Sequence, residues 1–378
     1  MLDLLRRNAW WLVPLLLFDI WLVHRLRTRN RQDPAPAVRE KASEPDSEVA
    51  ATPLPPEPPP RPVLLYTTPT AQTNLWDTES TEVYQPTASG RIQSAHFGST
   101  RTRGSGGRFL PAFHMGIDIA PLQRDRQGNA LDEVVAVTDG RVAYANRVAG
   151  NSTYGIYVVL LHDDPLGEIY TLYAHLASVE PGLRAGQTVE RGDRIGIMGH
   201  TASTGIPRHR AHLHFEIGVI NNSRFARWYR AQNLIPDHGT YHGHNLTGIQ
   251  PLAIYGVQPW PGLQGFSMLD YLIENPPAFT LLFTPSKLLD YYRRYPDLWE
   301  GSPYAGGPIV MDVSEGGVPQ RARAATPEEA ALLTGGTPHV LAVDEEVLGR
   351  NGLRLVVRRS NQWVFGQRGR RWLEILTY

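Results

Sequence analysis

Between residues 91 and 219 the chain is built of short β-type runs separated by glycine-containing turns. Residues 134–137 end at Asp139-Gly140 and residues 141–144 follow at once. Further runs cover 155–161, 169–173, 194–198 and 212–219. The 35 glycines and 31 prolines favour turns and strands over long helices. Runs this closely spaced predict a mostly β, largely antiparallel domain.

The same runs carry the residues suited to chemistry. The chain has no cysteine, which excludes disulfides, thiolate metal sites and cysteine nucleophiles, and leaves its 13 histidines as the natural metal ligands. His114 and Asp118 stand four apart with Gly116 between them, a spacing that lets both reach one cation. His175 closes a run. On a strand, His212, His214 and Glu216 share one face while Leu213, Phe215 and Ile217 turn to the core, and the two histidines sit about 7 Å apart. Two histidines and one carboxylate leave a tetrahedral zinc ion an open position for water, as catalytic sites do. His96, His162, His200 and His209 read as structural or cleft-lining.

Taken together, His114-x-x-x-Asp118, Tyr173-Ala174-His175-Leu176 and His212-Leu213-His214-Phe215 resemble the lysostaphin/LytM-type zinc metallopeptidases that cut peptidoglycan cross-links. Residues 91–98, 136–142 and 186–193 fit the same pattern, and the resemblance covers 91–219. It implies an antiparallel β-sheet LytM-type fold and one Zn2+ ion held by His114, Asp118 and His214. It also implies catalytic roles for His175 and His212 beside the metal, handling the proton of the bound water and steadying the oxyanion. Two stretches depart from the pattern: residues 205–211 separate Gly205 from the His-x-His pair, and 122–133 replace a short turn. Both are expected to border the cleft.

The flanks supply reach and support. Residues 9–23 are apolar except for Asp19, with Arg6 and Arg7 before and Arg25, Arg27, Arg29 and Arg31 after. The 17 residues between Arg7 and Arg25 span about 26 Å as a helix. A hydrocarbon core is about 30 Å thick, a gap that snorkelling arginines and Trp10, Trp11 and Trp21 can close. No small-x-small cleavage site follows, which favours an uncleaved membrane anchor over 1–24 against a secretory signal. The arginine bias points the C-terminus to the cytoplasm, against the placement the chemistry implies. A proline-rich linker follows over 25–62, with ten prolines between 33 and 62. Residues 63–90 are an N-terminal extension of the peptidase domain at 91–248.

Residues 249–378 form an accessory α+β region. Helices are expected over 286–294, capped by Ser286, and over 330–334, opened by a capping box at Thr326 and Glu329 with Pro327 and closed by Gly335. Strands over 339–343, 353–357, 363–365 and 372–376, with a turn at Asn351-Gly352, would make a terminal meander. His238, His242 and His244 offer a possible second metal site.

Equal numbers of basic and acidic residues, 37 of each, argue against a nucleic-acid partner. The reading is a zinc metalloendopeptidase of bacterial peptidoglycan, acting on stem peptides or cross-bridges. It would be anchored in the inner membrane by its N-terminal helix, with the catalytic domain in the periplasm. The alternative is a non-hydrolytic regulator of the same fold that activates cell-wall amidases; intact ligands point away from it.

Overall fold

The computed structural model describes residues 63–105 and 108–378. The membrane anchor expected over 1–24 and the linker over 25–62 lie outside the described residues. Among the described residues no helix is long and apolar enough to cross a membrane.

The strands are β1 (Leu64–Tyr66), β2 (Thr100–Ser105), β3 (Arg108–Phe113), β4 (Ile117–Ile119), β5 (Glu133–Val135), β6 (Gly140–Asn146) and β7 (Ile156–Asp164). They continue as β8 (Gly167–Leu176), β9 (Ser178–Val179), β10 (Thr188–Val189), β11 (Arg194–Ile197), β12 (Leu213–Ile220) and β13 (Leu246–Gly248). The main sheet has the order β10-β6-β7-β8-β12-β13, with β4 also paired to β12, and every pairing in it is antiparallel. The mostly β, antiparallel architecture expected from the runs is therefore present.

Alternation along these strands sorts side chains onto two faces. Val158 and Leu160 of β7, Ile169 and Tyr173 of β8, and Leu213, Phe215, Ile217 and Val219 of β12 enter the large core. Tyr157, Val159, Leu161, Tyr170, Leu172 and Ala174 form a smaller cluster on the opposite face, with Ile220 and Leu246. Each fully buried aliphatic or Phe side chain contributes about 1.5–3 kcal/mol. His214 and Glu216 alternate with the core residues of β12, so a strand buried on both faces holds polar groups on one of them.

The two expected insertions interlock. Arg124 donates to the carbonyls of Arg208 (3.1 Å) and His209 (3.2 Å), and Arg208 donates to that of Gln127 (3.0 Å). They brace the chain immediately before His212.

The C-terminal part adds β14 (Gln264–Phe266), β15 (Phe279–Phe283), β16 (Trp299–Glu300), β17 (Ile309–Val313), β18 (Pro319–Ala324), β19 (His339–Val343), β20 (Val356–Arg359) and β21 (Gln362–Phe365). β14 pairs with β1. A five-stranded sheet runs β16-β18-β17-β15-β19, and β20 and β21 form a separate hairpin.

Several expectations here need correction. Residues 372–376 are not a strand but lie in the helix Gln367–Thr377, which buries Gly369, Trp372, Leu373, Ile375 and Leu376 on one side at helical spacing. There is accordingly no meander. The hairpin reverses at Ser360-Asn361, whose φ values of 45° and 66° suit a hairpin turn. The turn expected at Asn351-Gly352 is also present, closed by the Arg354 amide on the Asn351 carbonyl at 3.2 Å, but it joins no strands of a meander. The helix expected from Ser286 begins only at Asp290, because Leu289 is extended (φ −57°, ψ 140°) and buried in the core. The Thr326/Glu329 capping box is present, but its helix ends at Ala330.

Candidate metal centre

His114, Asp118 and His214 come together because β4 and β12 pair in a register that sets Asp118 directly opposite His214. Residues opposed in an antiparallel pair hold their Cβ atoms about 5 Å apart, which brings two of the three donors to one point. Gly116 serves close approach here, since a Cβ on it would lie 2.1 Å from the Phe215 carbonyl oxygen. His114, one turn of chain earlier, can then fold over the same spot.

The three donor atoms form a near-equilateral triangle. His114 Nε2 lies 2.9 Å from His214 Nδ1, and Asp118 Oδ1 lies 3.0 Å from each of them. A tetrahedral ion with bonds of about 2.0–2.1 Å to N and O donors spaces them by about 3.3 Å, within a few tenths of this triangle. All three residues are buried.

Hydrogen bonds fix which nitrogen of each ring faces the site. His114 places Nδ1 at 2.8 Å from the His96 carbonyl, which can only accept, so its Nε2 lone pair points inward. His214 donates through Nε2 to Glu216 Oε1 at 2.7 Å, which turns Nδ1 inward. Glu216 in turn accepts from the hydroxyls of Tyr154 (2.8 Å) and Tyr170 (2.9 Å). Asp118 Oδ2 is paired with Arg101, which also donates to the Ser94 carbonyl at 2.9 Å through Nε, leaving Oδ1 for the triangle.

The electrostatics match a cation site. Burial opposes charge on His214, but its contacts with Asp118 and Glu216 outweigh that and push it up to about 9. Burial would raise Asp118, yet Arg101 and then His114 hold it well below the usual carboxylate range. Burial, then Arg101, press His114 down to about 4. Two lone pairs and a carboxylate converging on one buried point call for a positive charge there. The donor set of two imidazoles and one carboxylate suits zinc.

His175 and His212 adjoin the triangle. His212 Nε2 is 3.6 Å from Asp118 Oδ1, and the His175 ring lies 4.8 Å from that of His212 and 5.8 Å from that of His214. His175 donates through Nδ1 to the Thr201 carbonyl at 2.8 Å, and His212 to that of Arg210 at 2.7 Å. Both therefore present an unprotonated Nε2. Burial holds both below the ordinary histidine pKa; for His175 the nearby His212 adds to it, while for His212 the Asp118 carboxylate partly opposes it. His175 has a φ of 61°, a left-handed conformation that costs a non-glycine residue about 1–3 kcal/mol.

All five residues expected from the sequence thus meet at one place. His238, His242 and His244 do not gather into a second metal group among the described residues. His238 instead contacts the Tyr144 hydroxyl and the Asn151 carbonyl, both at 3.0 Å, and His242 stacks with Phe225. Sequence reasoning placed Glu216 on the right face without a role, which the His-x-His-x-Glu alternation could have supplied. Arg101 and the two tyrosines carried no local signal.

Residues 112–226 match the model for peptidase family M23. This segment is an M23 peptidase domain. It holds the three metal donors and both further histidines. A Haemophilus influenzae protein named as an uncharacterized metalloprotease is 35% identical to this chain over 127 residues, 33% of this chain and 22% of that relative, so the chain spans about a fifth of the relative's length. Among solved structures, a zinc-containing peptidase from Vibrio cholerae is 27% identical over 35% of each chain, with a TM-score of 0.24. The catalytic domain of the antimicrobial peptidase lysostaphin from Staphylococcus simulans is 22% identical over 33% of this chain and 77% of its own, also with a TM-score of 0.24.

Proposed function

We propose that the M23 domain is a zinc endopeptidase that hydrolyses peptide bonds of bacterial peptidoglycan, with His114, Asp118 and His214 as ligands and His175 and His212 as the catalytic histidines. The observation that carries it is the fixed tautomer of the last two: both Nδ1 protons are committed to backbone carbonyls, so both Nε2 atoms are left unprotonated, and that of His212 lies 3.6 Å from Asp118 Oδ1.

When bound, zinc lowers the pKa of a coordinated water to about 7 and polarises a carbonyl oxygen. His212 Nε2, nearest the donor triangle, accepts the proton of the attacking water and returns it to the leaving amine. His175, once protonated on Nε2, donates a hydrogen bond to the charge that develops on the carbonyl oxygen. Arg101 and Glu216 hold Asp118 and His214 in position throughout. Intact donors and intact proton carriers weigh against the alternative of a non-hydrolytic regulator of amidases. The apolar stretch over 9–23 is read as an inner-membrane anchor that keeps the domain in the bacterial envelope, facing the periplasm. A reporter fused after Tyr378 that is active only in the cytoplasm would overturn that placement.

The test of activity is direct. Full chain is incubated with purified peptidoglycan, with and without chelator, and the fragments are read by mass spectrometry. New amino and carboxyl termini that vanish with chelator and in His214→Ala are expected; cleavage that persists in both refutes the reading.

A further inference from the structure

Residues 350–378 hold seven arginines against one acid, Glu374, in a chain with no net charge. Five of these arginines, Arg350, Arg354, Arg358, Arg359 and Arg368, are exposed and line two hollows of about 300 and 380 Å³ on the β20–β21 hairpin. The hollows adjoin, sharing Arg354, Val357 and Arg358, and no acidic residue lines either among the described residues. Arg358 pairs with Glu345 at 3.4 Å, both half-exposed or more, so that contact neutralises little.

The fold holds these charges together at a cost. Arg354 has a left-handed φ of 54°, and Asn351 beside it one of 47°, fixed where the Asn351 side chain donates to the Val356 carbonyl at 2.9 Å. Arg368 is pushed below the ordinary arginine pKa by partial burial and then by Arg354. Like charges gathered in a concavity raise a positive potential that attracts anions.

Shape and composition narrow the ligand. Guanidinium forks match carboxylate and phosphate oxygens. The surface is concave and carries no exposed large apolar side chain for insertion into a bilayer. It has one half-buried aromatic, Trp363, where single-stranded nucleic acid needs a series of stacking faces. Thr100 closes one hollow, and the next residue on β2, Arg101, is paired with the metal ligand Asp118. The hollow therefore borders the hairpin that reaches the metal centre.

We propose that the hollows on the β20–β21 hairpin are an anion site that grips the free carboxylates of the peptide-bearing polymer cut at the metal centre. The choice of polymer rests on the peptidase reading; the anion site does not. It gives the accessory region a task, holding a strand of the insoluble substrate while a neighbouring peptide enters the cleft.

The experiment uses full chain in detergent micelles with zinc removed, so that binding is read without cleavage. The probes are peptidoglycan sacculi, native and with their carboxylates converted to amides. Arg354→Glu/Arg358→Glu is compared with a charge-matched pair that lines neither hollow, Arg370→Glu/Arg371→Glu, and all forms are first checked for equal melting temperature. Binding at least tenfold weaker for the first pair, within twofold of wild type for the second, and lost on amidation of the sacculi supports the proposal. Equal binding by the first pair, equal loss by both pairs, or competition by polyphosphate, anionic vesicles or single-stranded DNA in preference to polyglutamate overturns it. Zinc-dependent cleavage of a small soluble cross-linked peptide is followed separately. The first pair retains it if the site is a binding site alone, whereas its absence in wild type sinks the peptidase reading and leaves the binding result standing.

Discussion

At the scale of single residues, the centre depends as much on the atoms behind the donors as on the donors. Glu216 fixes the ring of His214 and adds negative charge behind it, a placement that raises the basicity of a ligating histidine. Glu216→Gln keeps the shape and removes the charge. Zinc affinity, measured by competition with a chromophoric chelator, is expected to fall about 10- to 100-fold, whereas His214→Ala should abolish tight binding and cleavage together. An unchanged affinity in Glu216→Gln would remove the carboxylate from the account.

His162 makes a different residue-level prediction, away from the metal. It is buried, gives Nδ1–H to the Asp139 carbonyl at 2.8 Å and receives the Thr171 hydroxyl at Nε2 at 2.7 Å. Burial, partly opposed by the Asp139 contact, presses it down to about 4. Above its unfolded pKa of about 6.5 the ring is neutral in both states and costs nothing. Between about 6.5 and 4 the unfolded chain takes up a proton that the fold refuses, so stability falls as pH falls. The total is about 3 kcal/mol, reached near pH 4. Urea midpoints followed across this window should drop less steeply in His162→Gln than in wild type; parallel slopes would contradict the assignment.

At the scale of elements, the centre is a product of register. Asp118 meets His214 only if β4 lies against β12 without a slip, and Gly116 sets how closely the two can approach. Gly116→Ala drives a methyl into the Phe215 carbonyl. A loss of about 3 kcal/mol is expected, visible as a lower melting temperature, with zinc affinity falling in parallel. A variant that melts normally would show that the backbone yields.

What was legible in the sequence follows the same logic. The strands of the M23 domain were readable because Leu213, Phe215, Ile217 and their counterparts alternate with period two. The five histidine and aspartate positions were readable because each sits at a strand or its edge, where spacing has geometric meaning. The terminal helix was misread because Trp372, Leu373, Ile375 and Leu376 make an apolar run of only five residues around Glu374, too short for periodicity to separate helix from strand. Arg101 could not be found, since its partner Asp118 is 17 residues away and only the β2–β3 hairpin brings it back.

At the scale of the molecule, the M23 sheet and the C-terminal region share one core. Tyr66, Phe215 and Leu160 belong to the same buried cluster as Tyr295, Val313 and Leu376. Tyr295 locks them together: its hydroxyl receives the Ile220 amide at 3.1 Å and donates to the Glu168 carbonyl at 2.8 Å. Tyr295→Phe leaves the buried Ile220 amide without this partner and removes a bond to the part-buried Glu168 carbonyl, and should cost about 1–3 kcal/mol. Unfolding in denaturant followed by far-UV circular dichroism and by tryptophan fluorescence should show one coincident transition in both proteins, shifted to lower denaturant in the variant. Two separate transitions would mean that the parts fold independently.

The two imidazole donors, His114 and His214, stand 100 residues apart in the chain. At synthesis rates of about 5–20 residues per second, the second ligand leaves the ribosome roughly 5–20 s after the first. During that interval His114 and Asp118 are a bare pair with no partner strand, too weak to retain an ion. Only when β12 has emerged and slotted between β8 and β4 do three donors exist at once. Metal capture is thereby delayed until β12 pairs with β8 and β4, so a nascent chain carries no complete donor set before the strands that hold it have met.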